Sequence, residues 1–195
     1  MMEFSVVRAA EQQTTSWSGG TTTQLFIHPA TADYRKRDFI FRLSSAVVEA
    51  EQAEFTRLPG VSRKLMILEG AIRICHQGHY EKTLSRFNVD AFEGEWITTS
   101  MGRCTDFNVM TTGACRSALN SLNMPEPGSV ELSVPAGADS LFVFLVSGEL
   151  LVVDLPDAPV LVRGDLLQLN NTGSGLLRLM TQKSAEAVIV TIYYS

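Results

Sequence analysis

LMILEGAIRI (Leu65–Ile74) and FVFLVSGELLV (Phe142–Val152) repeat one pattern: an apolar strand, a glycine, and a second strand of similar character. Gly70 and Gly148 stand 78 residues apart, and a second pair, AFEGEW (Ala91–Trp96) and LVRGDLL (Leu161–Leu167), sets Gly94 against Gly164 at an offset of 70. At that same offset of 70, Met110 and Thr111 fall on Met180 and Thr181. The offset changes between Gly70 and Gly94, where the first copy has the longer hairpin around Gln77 and Gly78. Strand, glycine turn, strand, then a second turn of glycine and acid is the layout of a small jelly-roll barrel, here duplicated.

The rest of the chain agrees. Thr21–His28, Phe39–Ala46, Lys64–Leu68, Trp96–Met101, Cys104–Thr111, Val130–Val134, Leu176–Thr181 and Ala187–Tyr194 are short apolar or alternating runs bounded by turn formers. Leu141–Leu155 reads as two core strands around a turn at Ser147–Glu149. Helical spacing is weak everywhere, with a faint trace at Ala114–Leu122. The expectation is an all-β fold of two cupin-like jelly-roll β-barrels, a bicupin, in one compact body. NSLNMPEPG (Asn120–Gly128) has two prolines and a glycine and is the expected connection, which places the first barrel at 1–122 and the second, shorter half at 123–195.

Composition excludes several function classes. With 45% hydrophobic residues, 195 positions are enough to bury a core, and a net charge of −5 disfavours a nucleic-acid partner. The basic run Arg35–Arg37 is flanked by Asp33 and Asp38 and reads as a solvated turn. No apolar run reaches the roughly 20 residues that span a bilayer, and no signal-peptide pattern follows Met1, so no membrane partner and a cytoplasmic location are expected. Cys75, Cys104 and Cys115 lie in no metal or disulfide spacing and read as buried thiols. Oligomerisation is left open.

Metal is the first chemistry to test in such a barrel. The only histidines are His28, His76 and His79. None forms His-x-His, and none lies beyond residue 79 to complete a ligand set. His76 and His79 flank Gln77–Gly78 and read as neighbours on an exposed hairpin. The expectation is no metal and no cofactor; a GxSxG hydrolase motif is also absent.

Polar residues inside strands say more. Alternation places Arg42 and Ser44 on the face opposite Phe41 and Leu43, and Asp106 and Asn108 on the face opposite Phe107 and Val109. Arg63 enters the strand after the LPGV turn. Three readings compete: a solvent-facing sheet, a self-satisfied buried Arg42–Asp106 pair, or a barrel lumen in which arginine offers a forked donor to a carboxylate. At the repeat offsets Arg63 falls on Leu141 and Asp106 on Leu176, so any polar site belongs to the first half. WSGGTTTQL, opening at Trp17, either exposes backbone N–H groups beside a ligand or forms an edge bulge.

Four segments carry a resemblance. WSGGTTTQL (Trp17–Leu25), FRLSSAVV (Phe41–Val48), FTRLPGVSRKLMILEG (Phe55–Gly70) and TDFNVMT (Thr105–Thr111) resemble, in order and spacing, the HutD/Ves family of bacterial bicupin-like proteins. The likeness weakens beyond about residue 120. The glycine-rich segment is about one residue shorter than the family's commoner Trp-Lys-Asn-Gly-Gly-Gly form, with Ser18 where asparagine is usual. The resemblance implies a bicupin fold, a cytoplasmic protein without a catalytic metal, and an association with histidine utilisation or with stress and cold response.

The function expected is non-catalytic binding or sensing of a small organic acid. Arg42, Ser44, Arg63, Asp106, Asn108 and Trp17 are the expected ligand-binding residues. The alternative is a metal-free cupin-type isomerase or lyase, with Asp106 or Glu69 as a general base raised by burial. A protein-interaction module is the third reading, favoured if Arg42 and Asn108 are exposed.

Overall fold

In the computed structural model, which describes residues 3–170 and 175–194, the chain is built almost wholly of strands. In chain order they are β1 (Glu3–Val7), β2 (Gln13–Trp17), β3 (Gly20–His28), β4 (Phe41–Val48), β5 (Gln52–Glu54), β6 (Val61–Gly70), β7 (Ile72–His76), β8 (Tyr80–Leu84) and β9 (Val89–Glu93). They continue as β10 (Thr98–Met101), β11 (Cys104–Thr112), β12 (Arg116–Met124), β13 (Gly128–Val134), β14 (Ser140–Val152), β15 (Val160–Val162), β16 (Leu166–Asn170), β17 (Gly175–Thr181) and β18 (Ala185–Tyr193). The only helical element among the described residues is a 3-10 turn at Ala9–Glu11. No helix there is long and apolar enough to cross a membrane.

The chain divides into two compact units, one of Gln13–Cys115 and one of Met1–Gln12 with Arg116–Ser195. This differs from the expected boundary at 122/123. Asn120–Met124 is not a linker: it completes β12, which pairs along nine residues with β18, and only the segment 125–127 turns before β13. The same pairing overrides the faint helical spacing at Ala114–Leu122. The N-terminal residues join the later unit because β1 pairs with β16, Arg8 Nη1 meets Asp165 Oδ2 at 2.6 Å, and Ala9 N–H donates to Asp165 Oδ1 at 3.0 Å.

In the 13–115 unit a six-stranded sheet, β2-β3-β4-β11-β6-β9, and a four-stranded sheet, β5-β10-β7-β8, share a core of Leu65, Ile67, Ile72, Ile74, Leu84 and Phe92. The two sheets are packed layers and do not close into a continuous barrel, yet the arrangement is the cupin jelly roll. The 116–195 unit repeats it: β12-β18-β14-β16 matches β4-β11-β6-β9, and β13-β17-β14-β15 matches β5-β10-β7-β8. Its β14 is continuous over 13 residues and serves both layers, so the two expected core strands are its two arms and the expected turn is a bend at Gly148.

Gly70 and Gly148 are equivalent, as their sequence context indicates. Both have φ near +80°, and a Cβ on either would collide with a facing backbone carbonyl, of Arg103 or of Ser184. Each sits where the chain bends from one layer to the other beside a register shift, at Thr105/Asp106 and at Leu145/Ser147. The registers also set the other equivalences. Leu141 does match Arg63, for these residues face Thr191 and Met110 in corresponding rows. Asp106 matches Ala187, not Leu176, which is exposed on β17; Met180 matches Met101, not Met110. The offset of 70 aligned β11 with β17, whose ends share a chance Met-Thr pair, whereas the partner of β11 is β18.

Candidate functional site

A cavity of about 290 Å³ opens within the 13–115 unit, and Trp17, Arg42, Ser44, Arg63, Asp106 and Asn108 all line it. Sheet register explains the convergence. Arg42 on β4 and Arg63 on β6 both pair with Met110 on β11, so the arginines occupy one lateral row, two strand spacings or about 10 Å apart. One row along, Ser44 pairs with Asn108, and one further Ala46 pairs with Asp106. Alternation then sends these side chains to one face. The opposite face carries Phe41, Leu43, Phe107 and Val109, each no more than 1% exposed.

Four of these groups are charged or strongly polar and almost fully buried: Arg42, Arg63 and Asn108 at 6% exposure and Asp106 at 4%. That excludes the solvent-facing sheet, and the exposure of Arg42 and Asn108 that would have favoured an interaction module is not found. The self-satisfied Arg42–Asp106 pair does not form either. Arg42 donates from Nε to Gln24 Oε1 at 2.9 Å and from Nη1 to Ser44 Oγ at 3.1 Å, and its guanidinium lies 4.3 Å from the Tyr34 ring centre. Arg63 lies 5.0 and 5.1 Å from the ring centres of Phe55 and Phe92. Among the described residues, Arg63 Nε, Asp106 Oδ1 and Asn108 Oδ1 are buried without a hydrogen-bond partner.

Electrostatics follow from this burial. Loss of hydration pulls Arg63 down to about 10, against the attraction of Tyr34 and Asp106, with Arg42 adding repulsion. Burial also lowers Arg42. Burial pushes the Asp106 carboxyl up to about 7, and neither Arg63 nor the Ala46 amide donating to it offsets that. Cys104, nearby on β11, is raised to about 12, chiefly by burial and then by Asp106.

Trp17 sits at the mouth, 40% exposed, on the β2–β3 hairpin. A Cβ at Gly19 would strike the Trp17 ring, so this glycine leaves room for the indole to fold back over the turn. The register shift in β3 falls at Gln24/Phe26, beyond the glycines rather than at them. Sequence reasoning missed Gln24, Tyr34, Phe55 and Phe92, the residues that orient the two arginines. An Arg-to-aromatic pairing signal could have found Tyr34, Phe55 and Phe92 but not Gln24, and all four lie on strands or loops other than those of the arginines.

The histidines require a correction. The β7–β8 hairpin has a three-residue loop, with His76 opposite Tyr80, so His76 turns inward and is 1% exposed. Its Nε2 is 2.8 Å from Asp90 Oδ2 and its Nδ1 is 2.8 Å from Thr98 Oγ1. Asp90 Oδ1 accepts from Tyr80 at 2.9 Å and pairs with Lys82 at 2.5 Å. An ionised Asp90 only accepts, so His76 Nε2 donates to it. Burial works to raise Asp90, but its donors Lys82, His76 and Tyr80 outweigh it and hold the carboxyl below its usual range. His79 remains outside, stacked at 3.8 Å on Trp96. Among the described residues no group of three or more His, Cys, Asp or Glu is placed to hold a metal ion. None of the three cysteines forms a disulfide among the described residues, and Cys75 is only half-buried where full burial was expected.

Comparison with known proteins adds the following. The HutD family model matches residues 9–189. Protein Ves of Escherichia fergusonii is 28% identical over 152 residues, covering 75% of this chain and 74% of that protein. A conserved protein of unknown function from Pseudomonas aeruginosa superposes with a TM-score of 0.81 at 22% identity, covering 98% of this chain and all (100%) of that one. HutD from Pseudomonas fluorescens, solved in a formate condition, superposes at 0.77 with 22% identity, covering 98% of each chain. The nickel(II) complex of the Escherichia coli pirin YhhW gives 0.71 at 10% identity, covering 97% and 98%, a likeness of fold alone.

Proposed function

The chain belongs to the HutD family, and on that premise we propose that its 13–115 unit binds a small organic carboxylate as a non-catalytic binding or sensing module. The observation that carries this reading is the pair Arg42 and Arg63: two guanidiniums, each 6% exposed, lining one cavity, with no ion pair to either among the described residues. Burying such groups is costly unless an anion or a full set of hydrogen bonds compensates. A carboxylate supplies both, because its two oxygens match the guanidinium fork. A cavity of about 290 Å³ is at the small end of ligand sites and suits a metabolite of a few carbons. Membership of the family supports a link to histidine utilisation or to a stress response, exerted in the cytoplasm.

The test is a thermal-shift screen of histidine-pathway acids and other small carboxylates, followed by calorimetry on each hit with wild type and Arg42→Ala. A ligand that binds the native state raises the midpoint by mass action. Loss of a charge-assisted hydrogen bond worth about 1.5–3 kcal/mol weakens binding roughly 10- to 100-fold in the variant. A panel in which no acid binds, or binding unchanged in Arg42→Ala, overturns the reading.

A further inference from the structure

The polar atoms of the cavity are of two kinds. Arg63 Nε is an unused donor, whereas Asp106 Oδ1 and Asn108 Oδ1 are unused acceptors, and all three belong to side chains at least nine-tenths buried. A bare carboxylate has only acceptor oxygens at neutral pH, so it answers the arginines and leaves both acceptors without a partner. The protein does not answer them internally. The side chains that adjoin them on the neighbouring strands are Ala46 and Ile67 beside Asp106, and Ser44 and Leu65 beside Asn108, and the one polar neighbour, Ser44, accepts from Arg42 and makes no hydrogen bond to Asn108 Oδ1. The register places the acceptors one and two rows from the row of Arg42 and Arg63, along a single face of β11. Alternate residues of a strand lie about 7 Å apart, the length of a molecule of three to five carbons.

Resting on the carboxylate reading, we infer that the ligand carries, besides its carboxylate, a neutral O–H or N–H donor directed at Asn108 and Asp106. The class is therefore hydroxy acids and amide-bearing acids. Simple fatty acids and keto acids of the same size fall outside it. The carboxylate takes the two arginines and the donor end takes the acceptors further along β11. The apolar lining residues of the two end rows, Met110 beside the arginines and Ala46 beside Asp106, face the carbon chain. Discrimination arises because an analogue lacking the donor leaves a buried acceptor unpaired, which is a larger penalty than the net worth of a satisfied hydrogen bond.

Two pairs of near-isosteric acids isolate that donor: 3-hydroxypropionate against butyrate, and succinamate against 4-oxopentanoate. In each pair a methyl replaces a hydroxyl or an amide NH₂ at constant charge and near-constant volume. Calorimetric titration of the wild-type protein at pH 8, where Asp106 is ionised and only accepts, is expected to show the donor-bearing member of at least one pair binding tenfold or more tightly. Asn108→Leu is expected to reduce that ratio to within threefold while binding of butyrate or 4-oxopentanoate is retained. Equal affinities within both pairs overturn this inference and leave carboxylate binding standing. Failure of all four acids, together with any other carboxylate, to bind overturns both. The wild-type comparison does not depend on the variant folding.

Discussion

The two units share one strand plan and differ in what they bury. Where the 13–115 unit places Arg63, Asp106 and Asn108, the 116–195 unit has Leu141, Ala187 and Ile189; where it places Asp90 and Thr98, the other has Leu167 and Leu177. Arg42 corresponds to Ala118, and Ser44 to the exposed Asn120. One unit thus encloses a continuous apolar core of Leu, Val and Ile, and the other interrupts the same core with charge. The apolar version shows that the fold has no structural need for the polar one. Buried ionic groups are at best neutral for stability against well-packed hydrophobic residues. Their presence in one unit only is the mark of a site, in the sense that function is grafted on a fold.

The polar residues of the 13–115 unit fall into two groups, and the comparison sharpens when they are perturbed separately. The His76–Asp90–Thr98 group is fully partnered and lies directly beneath the cavity wall: Asp90 and Phe92 alternate on one face of β9, and Phe92 stands between His76, at 4.5 Å, and Arg63. Asp90→Ala leaves His76 and Lys82 without their shared acceptor. It is expected to cost about 3–5 kcal/mol of unfolding free energy in urea titrations. A loss below 1 kcal/mol would mean that this group contributes nothing the leucines opposite do not.

Asp106 is expected to act next most strongly, and through pH. Its folded-state value of about 7 lies above the ordinary 3.8, so it contributes stability that is fully present below the lower value and is lost as pH rises through the upper one. At about 1.4 kcal/mol per unit, the loss between pH 4 and pH 7 is on the order of a few kcal/mol. Asp106→Asn should flatten that window. Asp90 and Asp165, both held low, change stability only as pH falls below the ordinary carboxylate range, so they do not mask the effect. An unchanged slope in the variant would refute the assignment. The smallest effect is expected for Asn108→Ala, which should weaken carboxylate binding about 3- to 10-fold, less than Arg42→Ala, by isothermal titration.

Particular residues show why the sequence was informative in some places and silent in others. Arg42 with Ser44 and Asp106 with Asn108 were legible because a strand's two-residue period sets faces without knowledge of the partner strand. The glycines at 70 and 148 were legible because a bend between layers tolerates little else. Register was not legible. The choice between β17 and β18 as the partner of β11 rests on long-range pairing, and a coincidental Met-Thr pair pointed to the wrong strand. His76 turned on one residue of loop length: a two-residue loop would have put it opposite His79, whereas the three-residue loop pairs it with Tyr80 and turns it inward. The long β14 and the strand β12 needed tertiary pairing to be seen, and Tyr34 reaches the site from a loop that carries no strand signal.

The central claim is that the polar lumen is retained for binding and not for folding. The direct measurement gives the 13–115 unit the residues of its counterpart, as Arg63→Leu with Asp106→Ala in the full chain, and reads melting temperature and carboxylate affinity together at pH 7.5. The account predicts a melting temperature equal to or above wild type and an affinity at least tenfold weaker. A variant that binds as tightly as wild type, or one that loses its cooperative fold, would contradict it.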